Sequence, residues 1–384
     1  MPITGCTTAI IANPVIPIDT VLVKLASRCN LNCDYCYVYQ MGDESWRSQP
    51  KRMTSATLDR LATALRRLVK RQASPLSVVF HGGEPLLIGL AAFEHACSTI
   101  RSAIGATSGL HLQTNGTLLT KAIIDVCARH DVGISISMDG PAEVHDRHRP
   151  DHAKQGSHAK VLQALKRLHA HPKGSELLTG LLAVIDLQSD PAEVYSFFKK
   201  AGAPSVDFLY RDGNHDTLPP GKSRVDSIEY GAWMKRLLDI YLADPSPIRI
   251  RVLDDMLKLL LGGVARKEGL GSESYGILVV DTDGTIAKND TLKSASSADR
   301  FDKSWTLADL DALLSSDSFV AYHEAQRPTS VICRACPDLA ICGGGMPAHR
   351  WSAAKSFDNP SVFCADQRHL IEAMRLYLGE RMVA

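Results

Sequence analysis

From residue 20 to about 245, short apolar runs alternate with helix-length amphipathic stretches, a rhythm that predicts a parallel sheet wrapped by helices. Strands are expected at 21–26, 77–80, 110–114, 132–138, 181–185 and 206–210. Helices are expected at 55–71, with Thr54 or Ser55 as cap, and at 90–104, 119–130, 158–170 and 191–201. Six β/α units in succession predict an α/β fold, a partial TIM-like (β/α)6 barrel open on one side. In such a barrel, chemistry gathers at the C-terminal ends of the strands. After 245 the rhythm breaks. A turn from Asp244 to Pro247 leads to a helix near 253–262 and a Gly/Ser-rich link at 269–272. A strand–turn–strand from Ile277 to Ala287 and a C-terminal helix at about 365–380 follow. The organisation reads as a barrel over 18–245, a bridging region over 246–274 and a smaller unit over 275–384, without repeats or low-complexity tracts.

Composition narrows the class. The 384 residues are 45% hydrophobic and 22% charged, with 43 basic side chains against 42 acidic ones. That balance gives no reason to expect nucleic acid or an anionic membrane as a general partner. No apolar run approaches a membrane span, and Met1 to Pro17 lacks the basic start and apolar core of a signal peptide. Most of the ten cysteines fall in two clusters, which argues for metal rather than disulfides and for a reducing, cytoplasmic setting. Cys6, Cys97 and Cys127 are singletons, the last two on helices among apolar neighbours.

The first cluster is Cys29-x3-Cys33-x2-Cys36, directly after the first strand. Three thiolates on a four-iron cluster leave one iron open for a small ligand, whereas most iron–sulfur sites use four cysteines. Zinc or buried thiols are the alternatives; zinc would want a fourth ligand nearby. The second cluster, Cys333-x2-Cys336-x5-Cys342 with Cys364, supplies four thiolates, enough for a second four-iron site or for a structural zinc. After the second strand, Gly82 and Gly83 allow close backbone approach, and Glu84 can accept from a cation. Gln113 and Asn115 end the third strand, while Ser135, Ser137 and Asp139 alternate along the fourth and share a face. His145, His148 and His152 have helical spacing, but Pro150 interrupts a helix there and no acids complete a metal set.

The cysteine trio, followed by Tyr37, resembles the cluster loop of the radical S-adenosylmethionine (SAM) superfamily. The second group resembles half of a SPASM domain, the C-terminal extension of many radical SAM peptide-modifying enzymes. A full SPASM pattern has two auxiliary clusters; here Asn289 and Met346 stand where two cysteines would be. The resemblance therefore implies a radical SAM barrel with a truncated SPASM-type domain and two [4Fe-4S] clusters. One cluster, on Cys29, Cys33 and Cys36, would bind SAM; the other, on Cys333, Cys336, Cys342 and Cys364, would be auxiliary. It also implies that Gly82, Gly83 and Glu84 recognise the amino group of SAM. Gln113, Asn115, Ser135, Ser137 and Asp139 would lie near its ribose and methionine parts, and Arg149 would hold its carboxylate in a bidentate contact.

Further stretches resemble the FxsB-like maturases that form cyclophanes in ribosomal peptides. These are Phe208 to Asp216 with Pro219-Pro220-Gly221, Val280 to Gly284 with Asp290-x-Leu292-Lys293, and Cys342-Gly343-Gly344-Gly345-Met346-Pro347-Ala348-His349-Arg350 with Asn359 to Cys364. The activity implied is a radical SAM reaction on a precursor peptide. A deoxyadenosyl radical takes a hydrogen from a side-chain Cβ, and the carbon radical joins an aromatic ring. The auxiliary cluster would accept an electron and a base the proton. Asp290 is the base candidate, at the position where sulfatase maturases place a catalytic Asp. Asp281 and Asp283 are weaker candidates, because a Thr-Asp-Gly turn explains them. A flavodoxin- or ferredoxin-type donor is implied as electron source. The alternatives are thioether formation, formylglycine-type oxidation of Cys or Ser, or a non-catalytic zinc scaffold that binds a peptide.

Overall fold

The structure, a computed structural model, describes residues 16–383; Cys6 and most of the stretch from Met1 to Pro17 lie outside the described residues. Strand β1 (Thr20–Ala26) buries Val21, Val23 and Leu25. Helix α1 (Ser55–Arg71) begins where the Thr54 side chain accepts from the Thr57 amide, and Lys70 and Arg71 sit in its last turn, complementing the helix dipole. Its Leu58, Leu61, Leu65 and Leu68 recur at helical spacing and are buried. The units that follow are β2 (Ser77–Gly82), α2 (Leu90–Ile104), β3 (Gly109–Thr114), α3 (Lys121–His130) and β4 (Gly133–Ser137). Next come α4 (Ala142–His148), α5 (His158–His169), α6 (Gly174–Leu177), β5 (Leu178–Val184), α7 (Pro191–Lys200) and β6 (Ser205–Leu209). All six expected strands are present.

Helix α8 (Glu229–Ala243) has no counterpart among the expected helices. Its N-cap is Ile228, which offers no capping side chain, so the usual start signal is missing. Then come β7 (Arg249–Ile250), α9 (Arg251–Leu260), β8 (Ile277–Val280), β9 (Thr285–Ala287) and β10 (Trp305–Thr306). The chain ends with α10 (Leu310–Leu314), α11 (Asp317–Glu324), α12 (Val331–Arg334), α13 (Leu339–Cys342) and α14 (Cys364–Val383).

The strands form one sheet in the order β10–β9–β8–β1–β2–β3–β4–β5–β6–β7. Pairing is parallel from β8 through β7, and β9 and β10 fold back antiparallel. The hairpin after 275 thus extends the barrel sheet, with Thr20–Val23 in register with Ile277–Val280. Ile277 to Val280 are buried at all four positions, as a parallel strand covered on both faces requires. One contiguous core includes Val21 and Leu65 of the barrel together with Leu278, Phe363 and Leu370. The C-terminal ends of β1 to β6 consequently share one edge, and the cysteine loop leaves β1 there. Among the described residues no helix is long and apolar enough to cross a membrane.

Candidate active site

Cys29, Cys33 and Cys36 line one cavity of about 550 Å3 at that edge, together with the strand-end residues Gly82, Thr114, Ser137, Val184 and Leu209. The loop is held by a tight turn in which the Cys36 amide donates to the Cys33 carbonyl and the Gln40 amide to that of Cys36. Cys29 Sγ accepts from the Leu31 amide at 3.4 Å and from Asn115 Nδ2 at 3.8 Å. All three thiols are free. Burial pushes Cys29 up to about 12 and Cys36 up to about 11, and it raises Cys33 against the pull of Arg149. Buried thiols of this kind ionise when a metal centre replaces their protons. Three of them from one loop, open to one cavity, fit a cluster that keeps one iron for a ligand.

Gly82 and Gly83 line the cavity, but what demands glycine is the protein. A Cβ on Gly82 (φ +139°) would lie 2.2 Å from the Ala26 carbonyl oxygen, and one on Gly83 would lie 2.3 Å from that of Arg28 and 2.1 Å from the Tyr39 hydroxyl. The bare backbone lets β2 dock on the cysteine loop, with the Gly83 and Glu84 amides donating to Ala26 and Arg28.

Glu84 takes a structural place in this arrangement. Its carboxylate is turned into the protein and does not line the cavity. Oε1 accepts from the Leu86 amide and the Thr114 hydroxyl, and Oε2 accepts from the Asn115 amide at 2.8 Å. It ties the ends of β2 and β3 together, fully buried.

Gln113, Asn115, Ser137 and Arg149 line the cavity, whereas Ser135 and Asp139 do not. Gln113 Nε2 donates to Ser137 Oγ at 2.9 Å, and Asn115 Nδ2 donates to Asn30 Oδ1. Asp139 is buried behind the wall, accepting from the Tyr35 hydroxyl at 2.6 Å and from the Val184 amide. Arg149 Nη1 donates in turn to that hydroxyl at 2.6 Å, while its Nε is sealed from solvent without a partner. Burial opposes the Arg149 charge, but Tyr35, Cys33 and Asp139 outweigh it and hold the guanidinium positive.

The three histidines diverge. His145 Nε2 meets Ser157 Oγ, and burial drives its pKa down to about 2. His148 lies between Asp34 and Asp186, and His152 Nε2 meets the Cys29 carbonyl.

The carboxylates proposed as base lie apart from the cavity. Asp290 is sealed and faces Lys24, whose Nζ is 2.8 Å from its Oδ1 and 3.1 Å from Asp281 Oδ1. Burial works against the Lys24 charge, yet the two carboxylates hold it well above the usual lysine range. Asp283 accepts from the amide and hydroxyl of Thr285, which makes it a turn residue. Lys24 pairs in register with His81, which lines the cavity and whose Nδ1 is sealed without a partner. Tyr35, Lys24 and His81 join the site without being among the expected site residues; a lysine inside an apolar strand is the one visible sequence signal among them.

Cys333, Cys336, Cys342 and Cys364 line a second cavity of about 160 Å3, walled by α12, α13 and the first turn of α14. Burial pushes Cys342 up to about 12 and raises Cys333 and Cys364. At the two positions that lack cysteine, Asn289 Nδ2 donates to both oxygens of Glu268 at 2.9 and 3.0 Å, and Met346 packs over Gly269. Among the described residues no three His, Cys, Asp or Glu side chains close on a single ion.

Residues 23–191 match the model of the Radical SAM superfamily. A cysteine-type anaerobic sulfatase-maturating enzyme of Clostridium novyi is 23% identical over 370 residues, covering 92% of this chain and 94% of that protein. A serine-type anaerobic sulfatase-maturating enzyme of Bacteroides thetaiotaomicron is 25% identical over 355 residues, covering 88% and 84%. The solved structure of native anSMEcpe with bound AdoMet and Cp18Cys peptide superposes with a TM-score of 0.80 at 22% identity, over 96% of this chain and 100% of that one. The chain thus carries a radical SAM domain, built on the radical SAM fold.

Proposed function

We propose that this protein is a radical SAM enzyme that oxidises a side chain of a ribosomally made peptide, and that its product is a crosslink from a side-chain Cβ to an aromatic ring. The observation that carries the reading is the single cavity that brings Cys29, Cys33 and Cys36 together with Arg149 and the strand ends. Its volume lies within the range of small-molecule sites. Each cysteine set lines a cavity of its own. When bound, a four-iron cluster on the first set supplies the electron that splits SAM to methionine and a 5′-deoxyadenosyl radical.

The chain's own residues orient the cofactor, shield the site and move a proton. Arg149, fixed by Tyr35, lines the cavity and offers its guanidinium charge to a carboxylate. Leu31, Val38, Leu182, Val184 and Leu209 give the cavity an apolar lining that limits water. His81, which lines the cavity and pairs in register with Lys24, is the route we assign to the substrate proton toward the Asp290–Lys24 pair. Asp290→Asn should spare SAM cleavage and reduce product; unchanged product yield would remove Asp290 from the mechanism.

Formylglycine-type oxidation is the second reading, favoured by the names of the full-length relatives and by the peptide bound to the structural neighbour. The Asn289–Glu268 pair, where a thiolate would hold another auxiliary cluster, favours the crosslink.

The test is anaerobic reconstitution, iron and sulfide assay, then dithionite in place of a flavodoxin- or ferredoxin-type donor, with SAM. About eight irons per chain and formation of 5′-deoxyadenosine are expected; zinc instead of iron, or intact SAM, overturns the proposal. With a precursor peptide, a crosslink and a serine-derived aldehyde both lose two hydrogens. Capture by a hydrazide therefore decides between them: captured product means aldehyde.

A further inference from the structure

Arg350 is the largest fully buried side chain among the described residues. It ends the short turn Pro347–Arg350, and its Nη2 donates to the Ala325 and Gln326 carbonyls at 2.6 and 2.9 Å. Nε and Nη1 are sealed from solvent and meet no acceptor. Among the described residues no carboxylate pairs with it; the ionisable neighbour acting on its charge is Cys333. A buried guanidinium without a counter-ion is strongly destabilising, and a fold has no packing reason to keep one where an apolar side chain of similar size would serve. Arg350 does not itself line the second cavity, but Cys333 does, so the cavity's occupant would supply the missing charge across the Cys333 wall.

We propose that Arg350 is the built-in counter-ion of an anionic iron–sulfur cluster on Cys333, Cys336, Cys342 and Cys364, and that it raises the reduction potential of that cluster. The inference rests on reading the second cysteine set as a cluster site. Four thiolates on a doubly positive core make a dianion, and one added electron makes a trianion. A fixed cation stabilises the trianion more than the dianion, so it favours the reduced state. The low-dielectric surroundings that make Arg350 costly when unpaired strengthen this effect. Arg350 thereby suits the second centre to accepting electrons, and it ties the stability of this region to cluster loading.

The test uses the full chain with Cys29, Cys33 and Cys36 replaced by alanine, so that iron binds at the second site alone. The parent, Arg350→Lys and Arg350→Met forms are reconstituted anaerobically and titrated by EPR against applied potential. Arg350→Met should shift the ratio of reduced to oxidised cluster at fixed potential at least tenfold toward oxidised, which is 59 mV for a one-electron couple. Arg350→Lys should fall between. No iron in the parent would sink the cluster reading itself, whereas iron bound with an unmoved potential in Arg350→Met would sink the role of Arg350. Should Arg350→Met fail to take up a cluster, the apo forms decide. Removing an unpaired charge should raise the apo thermal midpoint, and a lowered midpoint would make Arg350 merely structural and overturn the proposal.

Discussion

Lys24→Met isolates the electrostatics beneath the cavity. Methionine keeps the length and most of the volume, so the change removes a charge rather than packing. Lys24 Nζ stands 2.8 Å from Asp290 and 3.1 Å from Asp281, with side-chain exposures of 6%, 1% and 14%. At an effective dielectric of about 20, those separations correspond to gross attractions of about 6 and about 5 kcal/mol. Desolvation of the lysine offsets much of this, and loss of one partner from a buried ionic cluster typically costs about 3–5 kcal/mol. A destabilisation of about 4 kcal/mol at pH 8 is expected.

The pH dependence gives the sign. Burial raises the Asp281 pKa and Lys24 holds it down, so the variant lets it rise further, with Asp290 pushing the same way. A carboxyl whose folded pKa exceeds its unfolded value binds protons more tightly in the native state. Its charged form therefore weakens the fold as pH rises through the folded pKa, and acidification relieves the defect. Urea denaturation of wild type, Lys24→Met and Lys24→Met/Asp290→Asn, at pH 8 and pH 5, reads this directly. The single variant should regain stability at pH 5, and the double variant should be the more stable of the two at pH 8. A loss below about 1 kcal/mol, or one equal at both pH values, would refute the argument, since both follow only if uncompensated buried carboxylates are the cause.

Gly83→Ala should push the cysteine loop away from β2, because the new Cβ meets the Arg28 carbonyl at 2.3 Å. Iron at the first site should fall while the second site loads normally, with about 1–3 kcal/mol lost in stability. Arg149→Met should weaken SAM binding by about 10- to 100-fold in equilibrium dialysis, as expected for loss of a charged hydrogen bond worth about 1.5–3 kcal/mol, with iron content unchanged. Burial opposes ionisation of Asp186, but His148 and Arg147 hold its pKa at about 2, below the ordinary value of 3.8. That stabilisation is present above pH 4 and disappears as pH falls toward 2. Asp186→Asn should therefore cost about 2 kcal/mol at neutral pH, with the gap to wild type closing in acid.

What the sequence disclosed and what it hid divide along the chain. The cysteine trio, the second cysteine group and the Gly82-Gly83 turn are each short runs whose residue types already specify chemistry, and the structure brings each run to a cavity. Tyr35 could not be found this way. Its partners Asp139 and Arg149 lie 104 and 114 residues away and meet it only because β1 and β4 end at the same edge. Glu84 shows the converse: a carboxylate beside two glycines looks aimed at a ligand, but in the fold it accepts from the neighbouring β3 end as well as from Leu86. Lys24 sits in an apolar run, and nothing next to it in sequence supplies a partner for its charge. It is buried because β8 docks on β1 from more than 250 residues away and, with the turn that follows β9, delivers Asp281 and Asp290. Motifs here mark the walls of the two cavities, whereas the charges beside them are assembled by the sheet order. A search for the determinants of reactivity in this scaffold should accordingly start from lone charged residues inside apolar segments, such as Lys24 and Arg350, and ask what the neighbouring strand or loop brings opposite them.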